Sequence, residues 1–497
     1  MNTIINRVIF LIITAVMTVS CGGGGGGGTQ TAGIGGTGVT SGGTVTGFGS
    51  IFVNGIEYNT SAATITIDKI IMVGESNMKL GMYVLVRGTL DSNNTTGTAR
   101  TVTIDTDLEG PIDSLPLEDR NTNSWSFTVL GQNVIVNKSS TVFAGNGFGF
   151  SNMAQFDTVE IYGLVDAAGN LQATRIEKKG TRNLGVTTVE VRGTVGIVSP
   201  TSFELLVGTS TLTINHDGST NFPTIPGGMV VSGQKIELDG TLTGAAVILA
   251  SEVELQSGLL NTSDSNIELE GLVTGYVSDA NFRVNGQQVN ASGATLEPVT
   301  LTLANNIKVE VEGTLVNGVL VANKVEGRSG EIEIETTVSS ITDIANNHID
   351  LSFDSAQTVT VTINSQSKLK DNTGSAPFTL QNIAVGNFLD ITARTDNAGN
   401  IIVIDLTREL LKPDGTAELK GPVSAVDTST VNQESVTILG ITYPSDAATK
   451  FKIQNGVTTR ANFFTRLGSG SGKVVKIEDN MFNSIVDGVA NVMDLKN

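Results

Sequence analysis

Alternation of apolar and polar residues recurs along this chain. It is clearest in Val84-Leu-Val-Arg-Gly88, Val159-Glu-Ile-Tyr-Gly163, Ile236-Glu-Leu-Asp-Gly240 and Ile307-Lys-Val-Glu-Val-Glu-Gly313, with Phe388-Leu-Asp-Ile-Thr392 and Val474-Val-Lys-Ile-Glu478 as weaker copies. A period of two puts Val, Ile and Leu on one face of an extended segment and the charges on the other. The glycine that closes the cleaner copies permits a tight bend or bulge.

Three further strand patterns recur around this one. A glycine-centred opening strand reads Glu109-Gly-Pro-Ile112, Arg192-Gly-Thr-Val195, Glu270-Gly-Leu-Val273 and Lys420-Gly-Pro-Val423, with Glu335-Thr-Thr-Val338 as a copy without glycine. A second strand reads Phe52-Val-Asn-Gly55, Phe127-Thr-Val-Leu-Gly131, Phe203-Glu-Leu-Leu-Val-Gly208 and Phe282-Arg-Val-Asn-Gly286. A closing strand reads Ala99-Arg-Thr-Val102, Ala173-Thr-Arg-Ile176, Ala250-Ser-Glu-Val253 and Ala322-Asn-Lys-Val325. Gly, Asn and Ser turns join them. The repeats divide the chain into six units, at residues 43–107, 108–180, 189–256, 266–328, 331–408 and 417–497. A repeat of roughly 60 to 90 residues is too long for a solenoid rung and suits a small domain.

About five strands per unit, with no convincing helix, predict an all-β chain of tandem small OB-like β-barrels. Small β-sandwiches are the alternative. In the fourth unit Val273, Phe282, Val284, Val289, Val309, Val311 and Val325 are expected to share one interior. Units that are each complete are expected to fold independently and to form an extended array.

The first unit carries Gly47-Phe-Gly-Ser-Ile-Phe-Val-Asn-Gly55 and then Leu80-Gly-Met82 leading into Val84-Leu-Val-Arg-Gly88. It resembles the bacterial "domain of unknown function 5666" family, whose members are tandem modules in predicted lipoproteins. The resemblance extends over units two to four. It implies tandem modules and supplies no activity.

The N-terminus reads as an address. Residues 1–20 have one basic side chain, Arg7, and then a run from Val8 to Val19 too short to span a bilayer, as in a signal peptide. Ser20-Cys21 resembles a bacterial lipoprotein box, which implies lipid attachment at Cys21. Residues 21–42, rich in Gly, Thr and Ser, are expected to be a flexible tether. Gly22 resembles the sorting pattern for the outer membrane of the cell envelope, periplasmic or surface-facing.

Charge narrows the partners. Thirty basic against 49 acidic residues give a formal charge of −19, which disfavours nucleic acid. One cysteine and two histidines cannot supply a familiar zinc set, and no motif for a cofactor is found. Asp105, Asp107 and Glu109 lie at i, i+2 and i+4, on one face of an extended segment between units one and two, and Glu331, Glu333 and Glu335 repeat the spacing. Clustered oxygens there are a calcium candidate that could stiffen a junction. The expected role is non-enzymatic binding, adhesion or spacing in the envelope, with membrane contact through the lipid and a glycan or surface protein as ligand. The alternative is an envelope hydrolase acting on polysaccharide through carboxylates.

Overall fold

In the fourth unit the strands close into a ring. The opening strand Asn266–Ser278 pairs with Asn281–Val284, which pairs with Gln287–Asn290. That strand runs parallel to the closing strand Val319–Gly327, which pairs with the alternating strand Lys308–Val316, and this returns to the opening strand. This five-stranded ring, with one parallel pairing, is an OB-type barrel rather than a sandwich. Units one, three and five repeat the same circuit. The structure is a computed structural model and describes residues 37–496, apart from 120–123, 146, 257, 261–265, 344–346, 354–356, 375–377, 412–415, 480, 483–484 and 487.

The recurrent glycine is a bulge. The pairing register slips at Gly88, Gly163, Gly240 and Gly313, where the alternating strand meets the closing strand. A Cβ would stand 2.1 Å from Thr98 O at Gly88 and 2.2 Å from Val321 O at Gly313, so no larger residue fits.

Barrel closure is incomplete at one place. The first half of each opening strand pairs with the alternating strand on one edge only, because the second strand takes its other half. The free edges pair with each other. The opening strand Thr37–Gly47 runs parallel to Asn266–Ser278, joining barrels one and four. Leu108–Pro111 pairs with Thr188–Ser199, joining two and three, and Ile332–Asp343 pairs with Ala417–Asp427, joining five and six. Each exposed edge thus protects another.

Two expectations are corrected here. The strand begins at Thr37, inside the stretch 21–42 read as tether. Val39, Thr40 and Ser41 there are buried between two partner strands, and Gly42 is closely packed: a Cβ on it would meet Tyr83 Oη at 2.9 Å. The sixth unit also contains a helix, Arg460–Leu467, capped by Thr459 Oγ1, which accepts from Asn462 N. Phe463 and Leu467 bury one side of it in the barrel.

The barrels do not form an extended array, because residues 36–497 make one compact body. Contacts between pairs combine an apolar patch of Tyr83, Leu164 and Leu272 with polar outer faces. Thr174 Oγ1 donates to Gly81 O at 2.7 Å between barrels two and one. Lys69 of barrel one reaches Asp239, Glu252 and Glu254 of barrel three. Arg394 of barrel five pairs with Glu326 of barrel four, and Ser365 Oγ of barrel five donates to Gly55 O of barrel one.

Candidate functional site

Asp105, Asp107 and Glu109 follow the closing strand of barrel one and lead into the opening strand of barrel two. The structure gives each a different surrounding. Asp105 is exposed. Asp107 pairs through Oδ1 with Arg192, and its Oδ2 accepts from Gly163 N at 2.9 Å. Glu109 accepts from Thr188 Oγ1 at 2.7 Å. Among the described residues no group of three or more His, Cys, Asp or Glu is arranged to hold a metal ion, and the three side chains of the triplet face different surroundings. In the second triplet Glu333 pairs with Lys420 at 2.6 Å, while Glu335 stands between Asp390 and Glu418 in register.

Asp105 and Asp107 nevertheless line the largest cleft described, about 830 Å³, where barrels one to four meet. Arg192 crosses its floor. Its Nε donates to Glu237 Oε2 at 2.7 Å, its Nη2 to Thr106 O at 3.1 Å, and its Nη1 to Asp107. Burial opposes the charge on Arg192, but Asp107 and Glu237 outweigh it and hold the guanidinium protonated. Gln132 of barrel two and Gln287 of barrel four enter the cleft from the same hairpin corner of their barrels. Each is fixed alike: Gln132 Nε2 donates to Gly169 O, and Gln287 Nε2 to Gly318 O, both at 2.7 Å.

Beside the cleft runs a row of carboxylates. Register places Glu252, Asp239, Glu190, Glu109, Glu160 and Glu177 side by side across six strands of barrels three and two. Neighbouring strands are about 4.8 Å apart, so the charges repel unless each is compensated. Lys69 covers Asp239 and Glu252, Lys179 covers Glu160 at 2.6 Å, and Arg175 covers Glu177 at 2.5 Å. Glu109 has the Thr188 hydroxyl. The spacing argument missed Arg192, Glu190 and Glu237. A signal was present: a charged residue precedes the glycine in four opening strands, and Glu190 lies two residues before Arg192 on the same face.

A family model described as Domain of unknown function (DUF5666) matches residues 39–103, 109–177, 270–326 and 337–402, just over half the chain. These are units one, two, four and five. Unit three, expected to resemble the family, is not matched although it forms the same ring, and unit five is matched. No curated protein matches the chain. Among solved structures, Drosophila Unr CSD456 is similar at 10% identity over 44% of this chain and 97% of its own, with a TM-score of 0.11. A multidomain protein with nucleic acid binding domains from Streptococcus pneumoniae TIGR4 is similar at 7% identity over 45% of this chain and 74% of its own, with a TM-score of 0.12.

Proposed function

The chain belongs to the DUF5666 family, and from that premise we propose that it is a lipid-anchored protein of the bacterial cell envelope whose fused barrels act as a non-enzymatic binding module. The observation that carries the binding role is the four-barrel cleft. Its lining offers amides, carboxylates and a guanidinium together with apolar wall, the mixture that a polyhydroxylated glycan chain engages. Nucleic acid fits poorly, since phosphates would meet the carboxylate row. Joined barrels favour a binding role over an extended spacer.

The anchor rests on Val8 to Val19, Ser20-Cys21 and the glycine run Gly22–Gly28. Cys21 lies outside the described residues. Cys21→Ser is expected to abolish fatty-acid labelling and to release the protein from the membrane fraction. Equal labelling of variant and natural protein would overturn the anchor.

The ligand is tested with the full chain, in detergent, on a panel of envelope polysaccharides. Retention of one glycan class is expected, weakened at least tenfold when Gln132 and Gln287 are both changed to Ala. Retention untouched by the double change would remove the cleft from the reading. Hydrolysis of a retained polymer would replace the binding role with an enzymatic one.

A further inference from the structure

Glu190 is only 8% exposed, and among the described residues it has neither a hydrogen bond nor an ion pair. It opens on a second cavity of about 360 Å³, separated from the cleft by Asp105 and Glu237. Asp68, Asp239 and Glu252 complete its acidic lining, and Lys69 is its one cation. Four of the six carboxylates are already engaged. Asp68 accepts from Thr106 N at 2.7 Å, Glu237 holds Arg192, and Asp239 and Glu252 hold Lys69. Glu190 and Asp105 are left over, one buried and one exposed, on the same cavity.

The lining already demonstrates its chemistry on the chain's own ammonium. Lys69 Nζ sits 2.6 Å from Glu252, 2.7 Å from Glu254 and 3.2 Å from Asp239. An ammonium has three donors, and carboxylate oxygens on neighbouring strands accept from them at hydrogen-bond distance. Among the described residues no group of three or more His, Cys, Asp or Glu is arranged to hold a metal ion.

We propose that this cavity binds the ammonium group of a small alkylamine of the polyamine class, with Glu190 and Asp105 as its acceptors. Burial, joined by Asp68, Glu237 and Asp239 and opposed by Arg192, pushes the Glu190 carboxyl above the usual range, which favours a proton there before the ligand arrives. The arriving ammonium replaces that proton, which passes to the buffer. The buried Glu190 carboxylate, which among the described residues has no hydrogen bond or ion pair of its own, is thereby compensated by the ligand.

The test is calorimetric titration of the full chain with spermidine near neutral pH, in two buffers of different ionisation enthalpy. Saturable binding is expected, with close to one proton released per spermidine. Glu190→Gln, which keeps the side chain's shape, is expected to weaken binding at least tenfold and to remove the proton release. Asp105→Asn, a change at an exposed side chain, is expected to weaken it several-fold and serves if the first variant fails to fold. No saturable heat at millimolar spermidine, unchanged affinity in Asp105→Asn, or displacement of spermidine by equimolar calcium would overturn the proposal. Glycan retention by Glu190→Gln is read separately, so loss of one property is distinguishable from loss of the other.

Discussion

Val311→Asp is expected to unfold the fourth barrel and to loosen the first. Val311 is fully buried, in register with Leu269 on one side and Val325 on the other. Phe282, Val284, Val289 and Val309 share its core, which offers a carboxylate no partner. An unpaired charge in such a site costs on the order of 4 kcal/mol or more, a large part of the stability of a small domain. The damage spreads because the opening strand of this barrel covers the edge of Thr37–Gly47. Hydrogen exchange should accelerate across 266–327 and also across 37–47. Natural protection in both segments would contradict this account of the shared edge.

Arg328→Met is expected to destabilise the body by about 3–5 kcal/mol, as when a buried ion pair loses one partner. Arg328 is 6% exposed and pairs with Glu310, with Glu326 at 3.5 Å beyond it, and Arg394 reaches Glu326 from barrel five. Adding Glu310→Gln should recover part of the loss, because the stranded charge disappears. The same network sets the pH dependence. Burial pushes Glu310 up to about 7, with Arg328 opposing and Glu326 adding to the rise. Burial and Glu310 push Glu268 up to about 8. Both values exceed the ordinary carboxylate range, so the folded state holds more protons than the unfolded state from about pH 4.5 to these values. Stability therefore falls as pH rises through that window. Glu270 is opposite in sign: burial opposes its charge, but Lys308, Thr44 and Arg328 outweigh it and hold the carboxyl low. Its contribution is lost in acid, as pH falls through the folded value. The unfolding midpoint should peak near pH 5 and decline toward pH 8, more steeply in Arg328→Met. A flat profile over that range would contradict the burial of these carboxylates.

Much of the barrel could be read from residue alternation. Val273, Phe282, Val284, Val289, Val309, Val311 and Val325, placed together by their period of two, do lie in one core. The glycine at the end of the alternating strand announced its bulge, because only a missing Cβ allows the closing strand's carbonyl so near. Alternation says which side of a strand avoids water, not what covers the other side. Glu270, Glu310, Glu326 and Asp390 were indistinguishable from solvated charges, yet all are buried, Glu270, Glu326 and Asp390 against another barrel. The opening strands are alike in pattern, so nothing local chooses barrel four as the partner of barrel one. The helix Arg460–Leu467 spans barely two turns and left too short a period to notice. At the site, the carboxylates were legible as a group. Their dispersal onto Arg192, Thr188 and solvent depended on strands from elsewhere in the chain.

The pairing of barrels one and four encloses the whole of barrels two and three, as brackets enclose a phrase. During synthesis, chain grows from the N-terminus, so Thr37–Gly47 is made about 220 residues before the strand that covers its edge. A bare edge left waiting that long is an invitation to neighbouring chains. Its eleven residues hold four glycines, four threonines, a serine and only two valines. Such a segment has little apolar surface and a weak preference for extended structure, so it competes poorly for strangers. The same composition that imitates a tether keeps this strand uncommitted until its own partner has been made.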